Sequence, residues 1–151
     1  MSDFLNPNNW HWLNESHEYR IYADDYENEY ALVDQIDYQY LIQWRWKLHY
    51  SRQHKGTRKR KVYLARVLHE VLGPDYKDEQ GSRKRQRCSH TIFLHNVVME
   101  RTGIPRPISN QRIITDHANG NGLDCRRTNL RYATISFNNK NIFGSHEKAL
   151  I

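Results

Sequence analysis

The sequence predicts an α+β fold, and three observations carry that reading. Short β-branched or aromatic runs bounded by turn residues recur along the chain. Helix-like stretches, marked by a capping Asp, Thr or Ser before them or by Gly and Pro after them, lie between these runs. From Arg112 onward a strand, an Asn-Gly-Asn-Gly turn, a second strand and a capped helix follow one another. At 151 residues the chain can bury a core without disulfides, and one compact unit is the default.

Taken in order, His17 to Tyr22 and Glu29 to Val33 are expected to be strands. Asp34 or Asp37 caps a helix running to about Arg45, with Ile36, Tyr40, Leu41 and Trp44 on one face. Trp46 to Tyr50 and Val62 to Leu64 form a β-hairpin whose loop, residues 51–61, holds six Lys or Arg and no acid. Ala65 to Leu72 is helix-like and stops at Gly73-Pro74. Residues 74–90 read as a loop with a second basic run, Arg83-Lys84-Arg85 and Arg87. Thr91 to Thr102 is helix-like again and ends at Gly103 and Pro105. Val62 to Leu68 resembles Ile92 to Val98, a weak sign of a duplicated unit. Arg112 to Asp116 and Leu130 to Ala133 are the last strands, and Thr134 or Ser136 caps a helix to about Ile142. Three segments result: an acidic aromatic extension (1–30), a lead-in region (31–109) and a segment rich in chemistry (110–151).

Composition narrows the partners. Apolar residues are 38% of the chain, mean hydropathy is −0.94, and no apolar run nears the roughly 20 residues a bilayer span needs. No membrane partner is expected. Met1-Ser2-Asp3-Phe4 lacks a basic region followed by an apolar stretch, so no secretory signal is expected. Cys88 and Cys125 are too few for a disulfide framework, which suits an intracellular, reducing compartment.

Net charge is +6, but its distribution says more. Residues 1–40 hold nine acids and one base, a balance of −8; the remainder holds 22 bases and 8 acids, a balance of +14. A polyanion partner on the C-terminal three quarters follows. Arg58, Lys59, Arg60 and Lys61 at the hairpin tip, with Arg83, Lys84 and Arg85, read as phosphate contacts, since such clusters repel themselves without a counter-charge. Trp44, Trp46, Tyr50 and Tyr63 read as core rather than as stacking platforms.

The chemistry lies between Gln111 and Asn141. Asp116 and His117 end a strand, Asn138 sits on the first turns of a helix, and a hairpin packed on that helix brings the three together. Asp and Asn offer oxygen ligands to a hard cation such as Mg²⁺ or Mn²⁺. A neutral His117 can take a proton from water near pH 7. Such a cation neutralises charge that develops on a phosphate, and Arg126, Arg127 and Arg131 stand close enough in sequence to hold phosphates. Asn119 and Asn121 are turn formers; Asn139 and Asn141 are rivals to Asn138 on the same helix. His90 and His95 read as structural or as phosphate contacts. Cys88, His90, His95 and Cys125 contain no Cys-x-x-Cys pair, so a structural zinc is not expected.

Asp116-His117, then Gly120-Asn121-Gly122-Leu123-Asp124, then Asn129-Leu130-Arg131, then Thr134 and Asn138, resembles the HNH nuclease motif, closest to the homing endonucleases of phage and intron type. The resemblance is strong over about 110–142 and loose over 30–100, where Ala31 to Asp34, Asp37-Tyr38 and Trp46 carry it. It implies a ββα-metal motif at the C-terminus with an α+β DNA-binding part before it. It implies Asp116 and Asn138 as metal ligands, His117 as general base, and Asn129 as the residue that holds the loop. Double-stranded DNA is then the substrate, cut by hydrolysis to a 5′-phosphate and a 3′-hydroxyl. The chain departs from the family at Ala118, Cys125 and His95-Asn96, none of which removes a catalytic group. The alternative is a DNA-binding protein that keeps the fold without useful cleavage. For residues 1–30 three readings stand: a solvated extension, a surface for a protein partner, or a cover over the basic groove.

Overall fold

A computed structural model describes residues 18–51 and 61–140. It is a mixed α+β fold of small antiparallel sheets and three short helices among the described residues. Strand β1 (Tyr19–Tyr22) pairs with β2 (Tyr30–Val33), Tyr19 opposite Val33. Helix α1 (Gln35–Leu41) follows. Asp34 stands at its N-cap, but its carboxylate accepts the Arg127 amide at 2.7 Å instead of capping the helix.

This helix is a turn shorter than expected and buries a different face. Trp46 Nε1 donates to the Leu41 carbonyl at 2.8 Å, which accounts for one of the end carbonyls. Asp37 and Leu41 are buried, whereas Ile36 is 63% exposed and Tyr40 38% exposed. A carboxylate takes the inward position because two arginines reach it from elsewhere.

The main sheet has the order β3-β4-β7, from β3 (Lys47–Tyr50), β4 (Val62–Val71) and β7 (Arg87–Phe93). Here the sequence expectation fails three times. Ala65 to Leu72 is not helical: β4 runs on to Val71 and pairs with β7 from Ala65↔Phe93 to Val71↔Arg87. Long-range pairing outweighs an ambiguous apolar spacing. Residues 74–90 are not a plain loop, because β5 (Tyr76–Lys77) and β6 (Arg83–Lys84) form a hairpin. Asp78 shapes its turn by accepting the Gln80 and Ser82 amides, and Gly81 takes φ +78°. Thr91 to Phe93 belong to β7, and α2 (Leu94–Arg101) starts only after them. The suggested duplication therefore has no structural counterpart: one copy is all strand, the other crosses from strand to helix.

The last hairpin pairs β8 (Ile113–His117) with β9 (Leu130–Thr134), Asp116 opposite Arg131, and α3 (Ile135–Lys140) follows at once. The Thr134 hydroxyl caps α3 by accepting the Phe137 amide at 3.2 Å. One apolar core joins all three segments: Ile21 and Ala31, then Leu41, Trp46, Leu64 and Val98, then Ile113, Cys125 and Tyr132. Trp46 is core as expected, but Tyr50 is 47% exposed. The loop between β8 and β9 docks on β2, where Leu32 donates to Leu123 and accepts from Cys125, both at 2.8 Å. Among the described residues no helix is long and apolar enough to cross a membrane.

Candidate active site

The loop between β8 and β9 is built from its own side chains. Asn119 accepts the Asn121 amide at 2.9 Å, Asn121 accepts the Leu123 amide at 3.1 Å, and Gly120 supplies a positive φ of 75°. Both asparagines are turn formers, as their sequence context indicates. Gly122 lies against β4, and a Cβ there would overlap the Val62 carbonyl oxygen. Asn129 ties the two ends of the loop together. Its Oδ1 accepts the Asn119 amide, and its Nδ2 donates to the Asp124 carbonyl and to Asn119 Oδ1, all within 2.8–3.0 Å. Its own carbonyl accepts the Ala118 amide.

Three arginines expected at phosphates each meet a carboxylate of this chain. Arg126 forks onto Asp124 at 2.8 and 2.7 Å. Arg127 forks onto Asp37 at 2.8 Å, and Arg101 binds the same carboxylate at 2.9 Å. Arg131 holds Asp116 at 2.8 Å and lies over the Phe137 ring. For Asp37, burial pushes the pKa up, but the hydrogen bonds and charges of Arg127 and Arg101 outweigh it and hold it below the usual range. Asp124 follows the same logic with Arg126 and Asn119.

His117 ends β8 at 3% exposure. Burial, then the Lys61 charge, drops its pKa to about 3, so the imidazole is neutral at pH 7. The ring meets His95 edge-on at 4.9 Å and Tyr63 at 5.7 Å, and its Nε2 lies 4.0 Å from Cys125 Sγ. Burial raises the Cys125 thiol's pKa and lowers that of His95 well below the usual imidazole value.

Asp116 is fully buried one residue before His117. Asn138 projects from α3, which packs on both β8 and β9, and it lines a cleft with Thr115 and His95. Asn138 is half-buried, its rival Asn139 is exposed, and Asn141 lies outside the described residues. Lys61 is more than a loop charge. It is half-buried, acts electrostatically on both Asp116 and His117, and has its own pKa lowered by burial against the pull of Asp116.

The other basic residues divide. Arg58, Lys59 and Arg60 lie outside the described residues. Arg83 and Lys84 form β6, and with Arg85, Arg87 and Asp75 they line a separate groove. Along β7 that groove is about 20 Å from Phe93 at the site end, at roughly 3.3 Å per residue. Of the four residues weighed for zinc, Cys88 lies 3.4 Å from His90 on β7, whereas His95 and Cys125 both border His117. Among the described residues no group of three or more His, Cys, Asp and Glu is placed to hold a metal ion. Tyr63, Thr115, Arg106 and Arg112 also lie on the cleft with Asn138. No local motif announces them. Compared with protein-family models, curated proteins and solved structures, the chain finds no match in any of the three.

Proposed function

We propose that this chain is a metal-dependent endonuclease of HNH type that hydrolyses phosphodiester bonds in double-stranded DNA. One observation carries the reading. A two-stranded hairpin ends in Asp116-His117, its loop is tied by Asn129, and a helix bearing Asn138 packs on both strands. Asp116 and Asn138 supply oxygen donors on two touching elements, which suits a hard divalent ion such as Mg²⁺ or Mn²⁺. When bound, that ion neutralises charge on the phosphate and on the leaving oxygen.

The chain's own residues do the rest. His117, neutral and buried, takes a proton from the attacking water at a ring nitrogen. Water oxygen bonds to phosphorus, the bond to the 3′-oxygen breaks, and that oxygen leaves and takes a proton from solvent water to become the 3′-hydroxyl, while the 5′-phosphate stays on the other strand end. Asn129 acts by fixing the loop that positions His117. Lys61, whose charge acts on His117 and is drawn by Asp116, is suited to a phosphate oxygen. Arg58, Lys59, Arg60, Arg83, Lys84 and Arg85 would grip the backbone outside the site.

The Asp116–Arg131 ion pair favours a second reading, in which the fold binds DNA without useful cleavage. A plasmid assay separates the two. Supercoiled DNA is expected to be nicked or linearised with Mg²⁺ and left intact with a chelator. Asn138→Ala should lose nearly all of that activity and Asn139→Ala should keep it, since one step along a helix turns a side chain about 100° away. An intact plasmid at every Mg²⁺ concentration favours binding alone, and an active Asn138→Ala removes the ligand assignment.

A further inference from the structure

Beyond the core, β4 and β7 continue outward as a two-stranded ribbon. β3 pairs with β4 only as far as Ala65, so from Arg66 to Val71 the sole neighbour of β4 among the described residues is β7. Alternate residues of a strand share a face, and directly opposed residues share it too. One face of the ribbon therefore carries Val67, His69 and Val71 of β4 with their partners Thr91, Ser89 and Arg87 of β7. All six are exposed. The other face carries Glu70, Cys88 and His90, where the His90 ring lies 3.6 Å from the Glu70 carboxylate and 3.4 Å from the Cys88 sulfur.

The first face begins at the candidate active site. Inward along it come the pair Ala65 and Phe93, then Tyr63. The Phe93 ring stacks on His95 at 5.3 Å, and the Tyr63 ring meets His117 at 5.7 Å. The second face begins elsewhere, with Leu64 in the core and Arg66 over the Trp44 ring at 4.5 Å. A duplex seated at His117 and running outward along the ribbon meets the first face, not the second.

The chemistry of that face fits base edges. It bears no acid, and its outer end is cationic: Arg87 also lines the groove of Arg83, Lys84 and Arg85, in which Asp75 is the one acid. An arginine fork pairs with guanine, Ser and Thr hydroxyls bond any base edge, a His ring donates or accepts, and the valine methyls suit the thymine methyl. Two strands about 4.8 Å apart enter a major groove about 12 Å wide. Four of the six side chains are polar, whereas the core of an interface between two copies is mostly apolar and poor in charge.

We propose that this face of the β4–β7 ribbon enters the major groove and reads the sequence of the duplex, with His69, Arg87, Ser89 and Thr91 on base edges and Arg83 and Lys84 on phosphates at the rim. The proposal rests on duplex DNA as the partner and adds where its sequence is read. Arg87 stands four residues beyond Thr91, about 13 Å at roughly 3.3 Å per residue, which spans about four base pairs at roughly 3.4 Å each. Counted from Phe93 at the site end, that block lies about two to six base pairs from the cut.

The test uses the full chain and a library of random-sequence duplexes. Duplexes bound without metal, and ends produced with Mg²⁺, are sequenced separately. Both sets should show a preferred block of about four base pairs, and in the cut set it should lie about two to six base pairs from the break. Arg87→Gln should relax one position of the block about fivefold or more, the discrimination a bidentate contact supplies. Its Tm should hold, since the side chain is exposed. Arg83→Gln should instead weaken all sequences alike and lower the log–log salt slope by about 0.9. No preferred block in the bound set, or a block that Arg87→Gln leaves unchanged, overturns the proposal. So does a dimer in sedimentation that Val67→Lys dissolves, which gives the face to a second copy. A block that Arg87→Gln relaxes, in a chain that cuts nothing, sustains the reading face and sinks the nuclease reading alone.

Discussion

The β8–β9 loop and the outer half of the β4–β7 ladder are organised in opposite ways. In the loop, side chains determine the path: Asn119, Asn121, Asp124 and Asn129 each bond backbone or one another, and Asp124 and Asn129 are buried while doing so. In the ladder, backbone pairing determines the path, while Val67, Val71 and Leu72 face solvent at 54%, 64% and 62% exposure. The first region tolerates little change because each polar group there has a designated partner. The second tolerates much, because its pairing uses no particular side chain.

Substitutions that remove one member of a buried polar set should break this contrast most strongly. Asp37 anchors the loop's 3₁₀ turn, Arg127–Asn129, to α1 through Arg127, and Arg101 shares it. Asp37→Asn should cost about 3 kcal/mol in urea unfolding, the low end for a broken buried pair, because both guanidiniums partly face water. The pH dependence has a definite sign. The folded pKa of Asp37 is depressed, so its contribution is present above about pH 4 and is lost as pH falls through the lower folded value. Asp37→Asn should therefore flatten the acid limb of the stability curve; an unchanged limb would show that other carboxylates control it.

Asn129→Ala comes next. It leaves the Asn119 amide and the Asp124 carbonyl without their partner, at about 1–3 kcal/mol. Calorimetry should show the loss, and hydrogen exchange should show faster exchange at Asn119. The smallest effect belongs to the ladder. Val71→Thr should change the unfolding free energy by no more than about 0.5 kcal/mol in urea titration; a larger loss would mean that the exposed face is covered by something else.

The same contrast explains what the sequence reveals. The turn is legible because Asn and Gly act within a few residues of themselves, and the strand–turn–strand–helix order follows from that local chemistry. The ladder is not, because Val67, Leu68, Val71 and Leu72 fit a helix face as well as a strand, and the deciding partner lies beyond the β5–β6 hairpin. Charge was half legible. A run such as Arg126-Arg127 cannot distinguish a phosphate from Asp124 or Asp37, and Asp37 reads as a helix cap until Arg101 and Arg127 are placed beside it. The acidic N-terminal segment is explained in part by that pairing: Asp34 and Asp37 hold the loop's backbone and side chains, and Asp25 accepts the Leu48 amide. His95 reaches the site only through tertiary packing, which sets its ring edge-on against His117.

The central claim is that His117 performs chemistry rather than holding the fold or the DNA. Single-turnover cleavage of an end-labelled duplex with Mg²⁺, measured beside duplex affinity for the parent chain and for His117→Ala, tests it directly. The account predicts a rate lower by about 10² to 10⁴ with nearly unchanged affinity, since the imidazole moves a proton and carries no charge toward phosphate. Equal losses in rate and affinity, or cleavage that survives the substitution, would contradict it.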